Sequence, residues 1–200
     1  MTASELPSLL ANFSPTCSTC DLLNGDTRML RLFVMRHAKS SWAMPGARDF
    51  DRELNDRGDA DLVKVSAEIA AKKYLPSCIL CSPAQRTRLT LDGIFAVLDP
   101  EVQIEFHDIM YSGSVENYAD LVRSVQNPVP VMTIGHNPMT GSLANMLAGD
   151  GDPDLLSEIS YRYPTATIAV LDFPIKSWSE LQPKTGTLVD CIIPSTLQQP

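Results

Sequence analysis

Short apolar runs alternate with stretches of helical periodicity along the chain from residue 30 onward. Apolar runs of this length, bounded by turn-forming residues, are typical of buried strands. They predict six strands, at residues 30–35, 77–82, 102–106, 129–134, 166–173 and 188–193. Strands that alternate with helices predict an α/β fold, and we expect a three-layer α/β/α sandwich around a mostly parallel central sheet.

Helices are predicted between the first strands by apolar spacing and by residues that favour helix ends. The first, at residues 58–74, has one apolar stripe formed by Ala60, Val63, Ala67 and Ala70. In the second, Ser82 is interpreted as the N-cap and Pro83 as a first-turn residue. The other two starts are Ser114 as an N-cap and the pair Asn137-Pro138, and Gly149 ends the last helix.

Unusual polar residues follow three of the predicted strands. Arg36 and His37 end the first strand, residues 82–86 follow the second, and Gly135-His136 follows the fourth. Ligand crevices of open α/β sheets lie at the carboxyl ends of the strands. We therefore expect two imidazoles and two guanidinium groups to converge there and to form an anion pocket.

The charge balance limits the partners of the protein. The 200 residues include 24 acidic and 16 basic side chains, which gives a net charge of −8. Such a chain repels phosphate backbones, so we do not expect nucleic acid as a partner. No apolar stretch approaches the roughly 18 residues of a membrane helix, so we expect a soluble chain without a membrane partner. Half of the basic residues lie in the first third of the chain, which leaves room for a local anion site.

The five cysteines favour a reducing compartment, and we expect the cytoplasm. Two CxxC spacings suggest zinc, but residues 78–81 form a predicted strand, on which positions three apart point to opposite faces. The other pair, Cys17 and Cys20, has no second ligand pair nearby. No metal and no cofactor are therefore expected.

Residues 1–28 differ in composition from the rest of the chain. They are rich in Ser and Thr and contain no basic residue before Arg28. Neither a signal peptide nor an arginine-rich transit peptide fits this segment. We expect a flexible N-terminal extension at residues 1–28 and a single domain at residues 29–200, with Met29 as a possible alternative start.

Four motifs resemble those of the histidine phosphatase superfamily, which has a phosphoglycerate-mutase-like fold. Residues 33–40 (FVMRHAKS) resemble its Arg-His signature, 82–87 (SPAQRT) its second motif, and 134–138 (IGHNP) its second-histidine motif. Residues 51–58 (DRELNDRG) are similar to a stretch of the compact phosphohistidine phosphatases of the SixA kind. Four motifs in order, at predicted strand ends, are far more specific than Arg-His alone.

The resemblance implies roles for individual residues. His37 would attack phosphorus and form a phosphohistidine intermediate, which water then hydrolyses. Arg36 and Arg86 would hold phosphate oxygens, and His136, if protonated, would add charge on the opposing side. The candidate substrate-binding residues are Arg52, Lys39 and Asn137.

The general acid of larger family members has no clear counterpart. Only about fifty residues separate Arg86 from His136, which leaves little room for the insert that carries it. Asp108 is the nearest candidate, and a turn role for it is about as good an interpretation. A weak acid suits phosphoramidates such as phosphohistidine better than sugar phosphates, so the expected partner is a phosphorylated protein or a small phosphorylated metabolite.

Three other functions remain open at this stage. One is a broad small-molecule phosphomonoesterase on the same fold, and another is a non-catalytic phosphate-binding module. A metal hydrolase that uses His37, His136 and Asp108 is the weakest, because two arginines would repel a dication. A serine nucleophile is rejected, because no Gly-x-Ser-x-Gly turn is present.

Overall fold

The computed structural model describes residues 29–42, 46 and 48–198. The expected extension at residues 1–28 lies outside this part of the chain. The strands are β1 (Leu30–Arg36), β2 (Cys78–Cys81), β3 (Gln103–Phe106), β4 (Val131–Gly135), β5 (Ala148–Gly151), β6 (Ile168–Phe173) and β7 (Gly186–Ile192). The helices are α1 (Asp56–Lys72), α2 (Gln85–Phe95), α3 (Ile109–Ser112), α4 (Val115–Ser124), α5 (Met139–Leu147) and α6 (Pro153–Tyr161).

All of these strands join one sheet in the order β3-β2-β4-β1-β6-β7-β5. The neighbours from β3 to β1 are parallel, and so are β7 and β5. Strand β6 runs antiparallel to both of its neighbours, β1 and β7. The prediction of a mostly parallel sheet is therefore confirmed.

Helices cover both faces of the sheet because side chains alternate along each strand. Leu32 and Val34 of β1 belong to the apolar cluster formed with α4, α5 and α6. Phe33 and Met35 belong to the second cluster, which includes residues of α1 and α2. The three-layer α/β/α sandwich is thus confirmed. Cys78 and Cys81 fall in different clusters, on opposite faces, as their spacing in the strand predicts.

Helix α1 packs through a different stripe from the predicted one. Its buried apolar side chains are Leu62, Val65 and Ile69, whereas Val63 is 59% exposed. The predicted stripe of Ala60, Val63, Ala67 and Ala70 was wrong, because three of its members are small. Burial of the larger aliphatic side chains removes more apolar surface from water and sets the rotation of the helix.

Two helix ends also differ from the prediction. Helix α2 begins at Gln85 with Ala84 as its N-cap, so Ser82 is not the cap residue. Gly149 does not end α5, which stops at Leu147, and it lies instead in the short strand β5. By contrast, Ser114 caps α4 as predicted, through a capping box with Asn117.

Helix α6 was not predicted, although its start carries a clear signal. Asp152 accepts a hydrogen bond from the Asp154 N–H, and Pro153 lies in the first turn. Among the residues described, no helix combines the length and the apolar character needed to cross a membrane.

Candidate active site

The site lies at the carboxyl ends of β2, β4 and β1, which are neighbours in the sheet. The backbone brings their last residues together: the His37 N–H donates to the Gly135 carbonyl, and the Ser82 N–H donates to the Ile134 carbonyl, both at 3.0 Å. The imidazole centroids of His37 and His136 are 5.1 Å apart. The expected convergence of the two histidines is therefore present.

His37 is held as a neutral imidazole with one defined tautomer. Its Nδ1 lies 2.7 Å from the Ala38 carbonyl oxygen. A carbonyl can only accept a hydrogen bond, so Nδ1 carries the proton and Nε2 keeps its lone pair. Burial, together with the charges of Arg86 and Arg36, lowers the pKa of His37 from 6.5 to about 4. Nε2 can therefore act as a nucleophile at neutral pH.

His136 is fixed by a hydroxyl group on β2's carboxyl end. Its Nε2 lies 2.8 Å from Ser82 Oγ, and its backbone N–H donates to the Tyr118 hydroxyl at 3.3 Å. Ser82 Oγ also accepts a hydrogen bond from the Ala84 N–H at 3.5 Å. Within the described part of the chain, His136 Nε2 is the acceptor available to the hydroxyl's own proton, so we assign Ser82 as the donor in this pair. This arrangement leaves the proton of a neutral His136 on Nδ1.

Burial and the neighbouring charges keep His136 neutral. Burial, followed by the effects of His37 and Arg86, lowers the pKa of His136 from 6.5 to about 3. The added charge that the resemblance implies requires a protonated His136, and this low pKa favours the neutral ring. The neutral ring carries its one N–H at Nδ1, which is buried and has no hydrogen-bond partner among the described residues.

Arg36 is held through one terminal nitrogen of its guanidinium group, and Arg86 is held through both. Arg36 donates from Nη1 to the Tyr163 carbonyl at 2.6 Å, and burial lowers its pKa. Arg86 donates from Nη1 and Nη2 to the backbone carbonyl and carboxylate of Asp49, at 2.7 and 3.0 Å. The side chain of Arg86 is only 8% exposed.

Three buried nitrogen atoms of these side chains have no hydrogen-bond partner among the described residues. They are Nε of Arg36, Nε of Arg86 and Nδ1 of His136. A buried donor without a partner costs about 1–3 kcal/mol, so such groups are rare unless a ligand or water completes them. Three such donors around a neutral His37 match the needs of a bound phosphoryl group, whose oxygens only accept hydrogen bonds.

Asp49 and Tyr111 also belong to this site, and the sequence analysis did not find them. Neither residue lies in one of the four motifs. The Tyr111 hydroxyl donates to Asp49 Oδ2 at 3.1 Å, and its ring meets the His136 ring edge-on at 5.6 Å between centroids. Their signals were present but weak: Asp49 lies three residues before Arg52, and Tyr111 lies three residues after Asp108.

The expected substrate-binding residues differ in how many hydrogen bonds their side chains make within the protein. Arg52 donates to the Ser41 carbonyl, to Ser40 Oγ and to Asp49, so all three of its guanidinium nitrogens are engaged. Asn137 donates to the Tyr163 carbonyl at 3.1 Å and accepts from the Gly141 N–H at 3.3 Å. Both side chains are therefore held in place by contacts with neighbouring residues.

Lys39 and Asp108 make no side-chain hydrogen bond within the described residues. Lys39 is half-buried two residues beyond His37. Asp108 is exposed and directly precedes α3, at the end of the edge strand β3, two strands away from β4 in the sheet order β3-β2-β4. The same short helix brings Tyr111, rather than Asp108, onto His136. In the described part of the chain, no three His, Cys, Asp or Glu side chains are grouped as metal ligands would be.

Known proteins resemble both the motifs and the fold. The family described as "Histidine phosphatase superfamily (branch 1)" matches residues 32–112, which include Arg36, His37 and Arg86. A crystal structure from Agrobacterium tumefaciens, named as a candidate phosphohistidine phosphatase SixA, is 34% identical, with a TM-score of 0.67. The similarity covers 82% of this chain and 97% of that one. This chain belongs to the histidine phosphatase superfamily.

Within the superfamily, the protein falls in the SixA-type branch and is a phosphatase. A second SixA-named structure, from Nakamurella multipartitia, is 28% identical, covers 83% of this chain and 96% of that one, and has a TM-score of 0.67. An uncharacterised chloroplastic protein of Arabidopsis thaliana is 32% identical over 160 residues, which are 75% of this chain and 69% of that protein. The phosphoglycerate-mutase-like fold implied by the motifs is therefore confirmed.

Proposed function

We propose that this phosphatase removes the phosphoryl group from phosphohistidine on proteins through a covalent intermediate on His37. The observation that carries the proposal is a group of three buried donors, on Arg36, Arg86 and His136, that have no partner among the described residues and lie near a neutral imidazole. The donors supply charge and hydrogen bonds, and the imidazole supplies the nucleophile.

In the first step, Nε2 of His37 attacks phosphorus. A bond forms between Nε2 and phosphorus, and the bond from phosphorus to the imidazole nitrogen of the substrate breaks. The electron pair of that bond leaves with the substrate imidazole, whose other ring nitrogen takes a proton from solvent water, so that the leaving group is a neutral imidazole. Negative charge spreads over the equatorial oxygens in the transition state, where Arg36, Arg86 and His136 can stabilise it.

In the second step, water attacks the phosphohistidine on His37. A bond forms from the water oxygen to phosphorus, the phosphorus–Nε2 bond breaks, and inorganic phosphate leaves. The electron pair returns to Nε2, so His37 is neutral again. The hydrogen bond from Nδ1 to the Ala38 carbonyl holds the same ring orientation throughout both steps.

The choice of a nitrogen leaving group follows from the acids near the site. The hydrogen bond from Arg52, with the charge of Arg86, lowers the pKa of Asp49 from 3.8 to about 2, so Asp49 is ionised at neutral pH. His136 is neutral, and Asp108 is exposed beside the edge strand. An alkoxide leaving group needs a positioned acid to protonate it, whereas a phosphorylated imidazole can take its proton from water on the ring nitrogen that is not bonded to phosphorus.

A protein substrate is supported by the connection between β3 and β4. This connection contains the short α3 and then α4, which packs on the sheet through Tyr118 and Val122. It therefore adds no subdomain above the carboxyl ends of the strands. Because no subdomain from this connection covers the site, the site can accept a side chain that projects from the surface of a protein.

Turnover of one carrier protein in two phosphorylated forms tests the proposal. We expect kcat/KM for its phosphohistidine form to exceed that for a phosphoserine form by at least about 100-fold, the lower range of a general-acid contribution. Excess EDTA should leave the rate unchanged, because no step uses a metal. Equal turnover of both forms would establish a broad phosphomonoesterase, and binding without turnover would establish a phosphate-binding module.

For the compartment, we propose the cytoplasm, where thiols remain reduced. The free thiols of Cys78, Cys81 and Cys191 support this choice. The Arabidopsis relative is chloroplastic by its name, so a plastid is the alternative outcome. Fluorescent fusions of the full chain and of residues 29–200, compared in the cells of origin, would distinguish the two compartments.

A further inference from the structure

Asp49 holds Arg86 with both its backbone and its side chain. The backbone carbonyl accepts from Nη1 at 2.7 Å, and the carboxylate Oδ2 accepts from Nη2 at 3.0 Å. Both terminal nitrogens of the guanidinium are therefore engaged by a single residue. Because the guanidinium is planar and rigid, these contacts also fix the direction of its Nε–H.

Asp49 is in turn held by two other side chains. Its Oδ1 accepts from Arg52 Nη1 at 2.9 Å, and its Oδ2 accepts from the Tyr111 hydroxyl at 3.1 Å. The neighbouring Phe50 packs edge-on against the Tyr111 ring, with 5.0 Å between centroids. The carboxylate is thus anchored to the loop after β1 and to α3, although its side chain is 53% exposed.

We propose that Asp49 is a positioning residue of the phosphoryl site, which orients Arg86 so that Nε is presented to the phosphoryl group. The unpartnered Nε of Arg86 is the observation that links the contact to catalysis. Without the Asp49 carboxylate, Nη2 loses its acceptor and only the backbone carbonyl still holds Nη1, so the guanidinium can turn about that single contact. The proposal rests on the proposed phosphoryl transfer at this site, but not on which phosphorylated group is the substrate.

A carboxylate suits this role better than a neutral acceptor. Oδ1 accepts from Arg52, whereas Oδ2 accepts from Arg86 and from Tyr111. An asparagine would offer one oxygen and place an NH₂ group against one of the two arginines. Asp49→Asn should therefore keep the shape and only part of the function.

Asp51 provides a matched control on the same short turn. Its carboxylate pairs only with Arg48 among the described residues, at 2.7 and 3.1 Å, and both side chains are exposed. Asp51→Ala removes the same charge two residues from Asp49 without touching Arg86. Its kinetic constants should match those of the wild type.

A double-mutant cycle tests the proposal. Arg86→Ala should lower kcat/KM at least about 100-fold, as loss of one transition-state donor does. Asp49→Ala should lower kcat/KM by about tenfold, mainly through kcat, because a misdirected donor loses most where charge develops. In the Arg86→Ala background, Asp49→Ala should change kcat/KM less than about twofold, because Arg86 is the group through which Asp49 acts. Asp49→Asn should lie between the wild type and Asp49→Ala.

Equal losses from Asp49→Ala in both backgrounds would overturn the proposal, since a merely structural role is independent of Arg86. Wild-type kinetics in Asp49→Ala would also overturn it. The cycle can be measured with any phosphorylated substrate that the enzyme turns over, whether phosphohistidine protein or phosphoserine protein. A wrong substrate assignment therefore shows in the comparison of substrates, while a wrong role for Asp49 shows only in the cycle.

Discussion

Two buried, uncharged histidines make the folded protein sensitive to acid. Burial lowers the pKa of His37 to about 4 and that of His136 to about 3, both from 6.5. Between pH 6.5 and about 4 the unfolded chain binds more protons at these positions than the folded protein does. The free energy of unfolding should therefore fall as the pH falls through this window, as measured by urea denaturation at pH 7 and pH 5.

Replacement of both histidines provides the control for this pH dependence. His37→Gln with His136→Gln removes the two titrating groups and should flatten the dependence of stability between pH 7 and pH 5. Asp49 does not interfere, because it titrates below this window. An unchanged pH dependence in the double variant would show that other groups cause the acid sensitivity.

The sequence identified residues that belong to motifs, but not residues that reach the site from elsewhere. Arg36, His37 and His136 each directly follow or end a strand, so strand prediction and motif spacing find them together. The role of Ser82 was misread, since a serine before proline is a common N-cap. Its contact with His136 depends on the adjacency of β2 and β4, and spacing along the chain does not encode that adjacency.

At the scale of elements, a close approach between β4 and α4 supports His136. A Cβ added to Gly135 would lie 2.5 Å from the Tyr118 hydroxyl oxygen. The same hydroxyl accepts from the His136 N–H and donates to the Met110 carbonyl. The end of β4 therefore depends on the absence of a side chain at residue 135.

Gly135→Ala should destabilise the fold by about 1–3 kcal/mol, the usual cost of overpacking, and should lower kcat because the displaced Tyr118 disturbs His136. Gly141→Ala is the control. Its added Cβ would lie 3.1 Å from the Tyr163 side chain, on a helix where alanine is favoured. Urea denaturation and steady-state kinetics measure both variants, and equal behaviour of the two would contradict the role of the Gly135–Tyr118 contact.

The sequence predicted strands correctly where apolar side chains dominate the segment. It missed the short strand β5, which has no apolar run. The four strands from 30–35 to 129–134 were predicted within about two residues of the observed β1 to β4. Strand β5 contains Ala148, two glycines and one aspartate, which carry no strand pattern. It is a strand only because it pairs with β7, a contact between distant parts of the chain.

At the scale of the whole molecule, the order of strands could not be predicted from local patterns. The carboxyl-end rule brought the candidate residues together, because β1, β2 and β4 run parallel. The reversal of β6 between β1 and β7 arises from pairing over long sequence distances. Periodicity along a segment contains no information about which strands become neighbours.

Deletion of residues 1–28 tests the domain organisation. Both apolar clusters and all of the site residues named above lie at residue 30 or beyond. The shortened chain should therefore keep its melting temperature and its kcat/KM within about twofold. Loss of folding or of activity would show that the segment is an integral part of the domain.

The most direct test of the whole account is the location of the phosphoryl group during turnover. Rapid quenching with ³²P-labelled substrate, followed by peptide mapping under alkaline conditions, should place an acid-labile label on His37. His37→Ala should give no labelled enzyme, and His136→Ala should slow both steps while some labelled His37 remains detectable. A label on His136, or a covalent adduct in His37→Ala, would contradict the proposed mechanism.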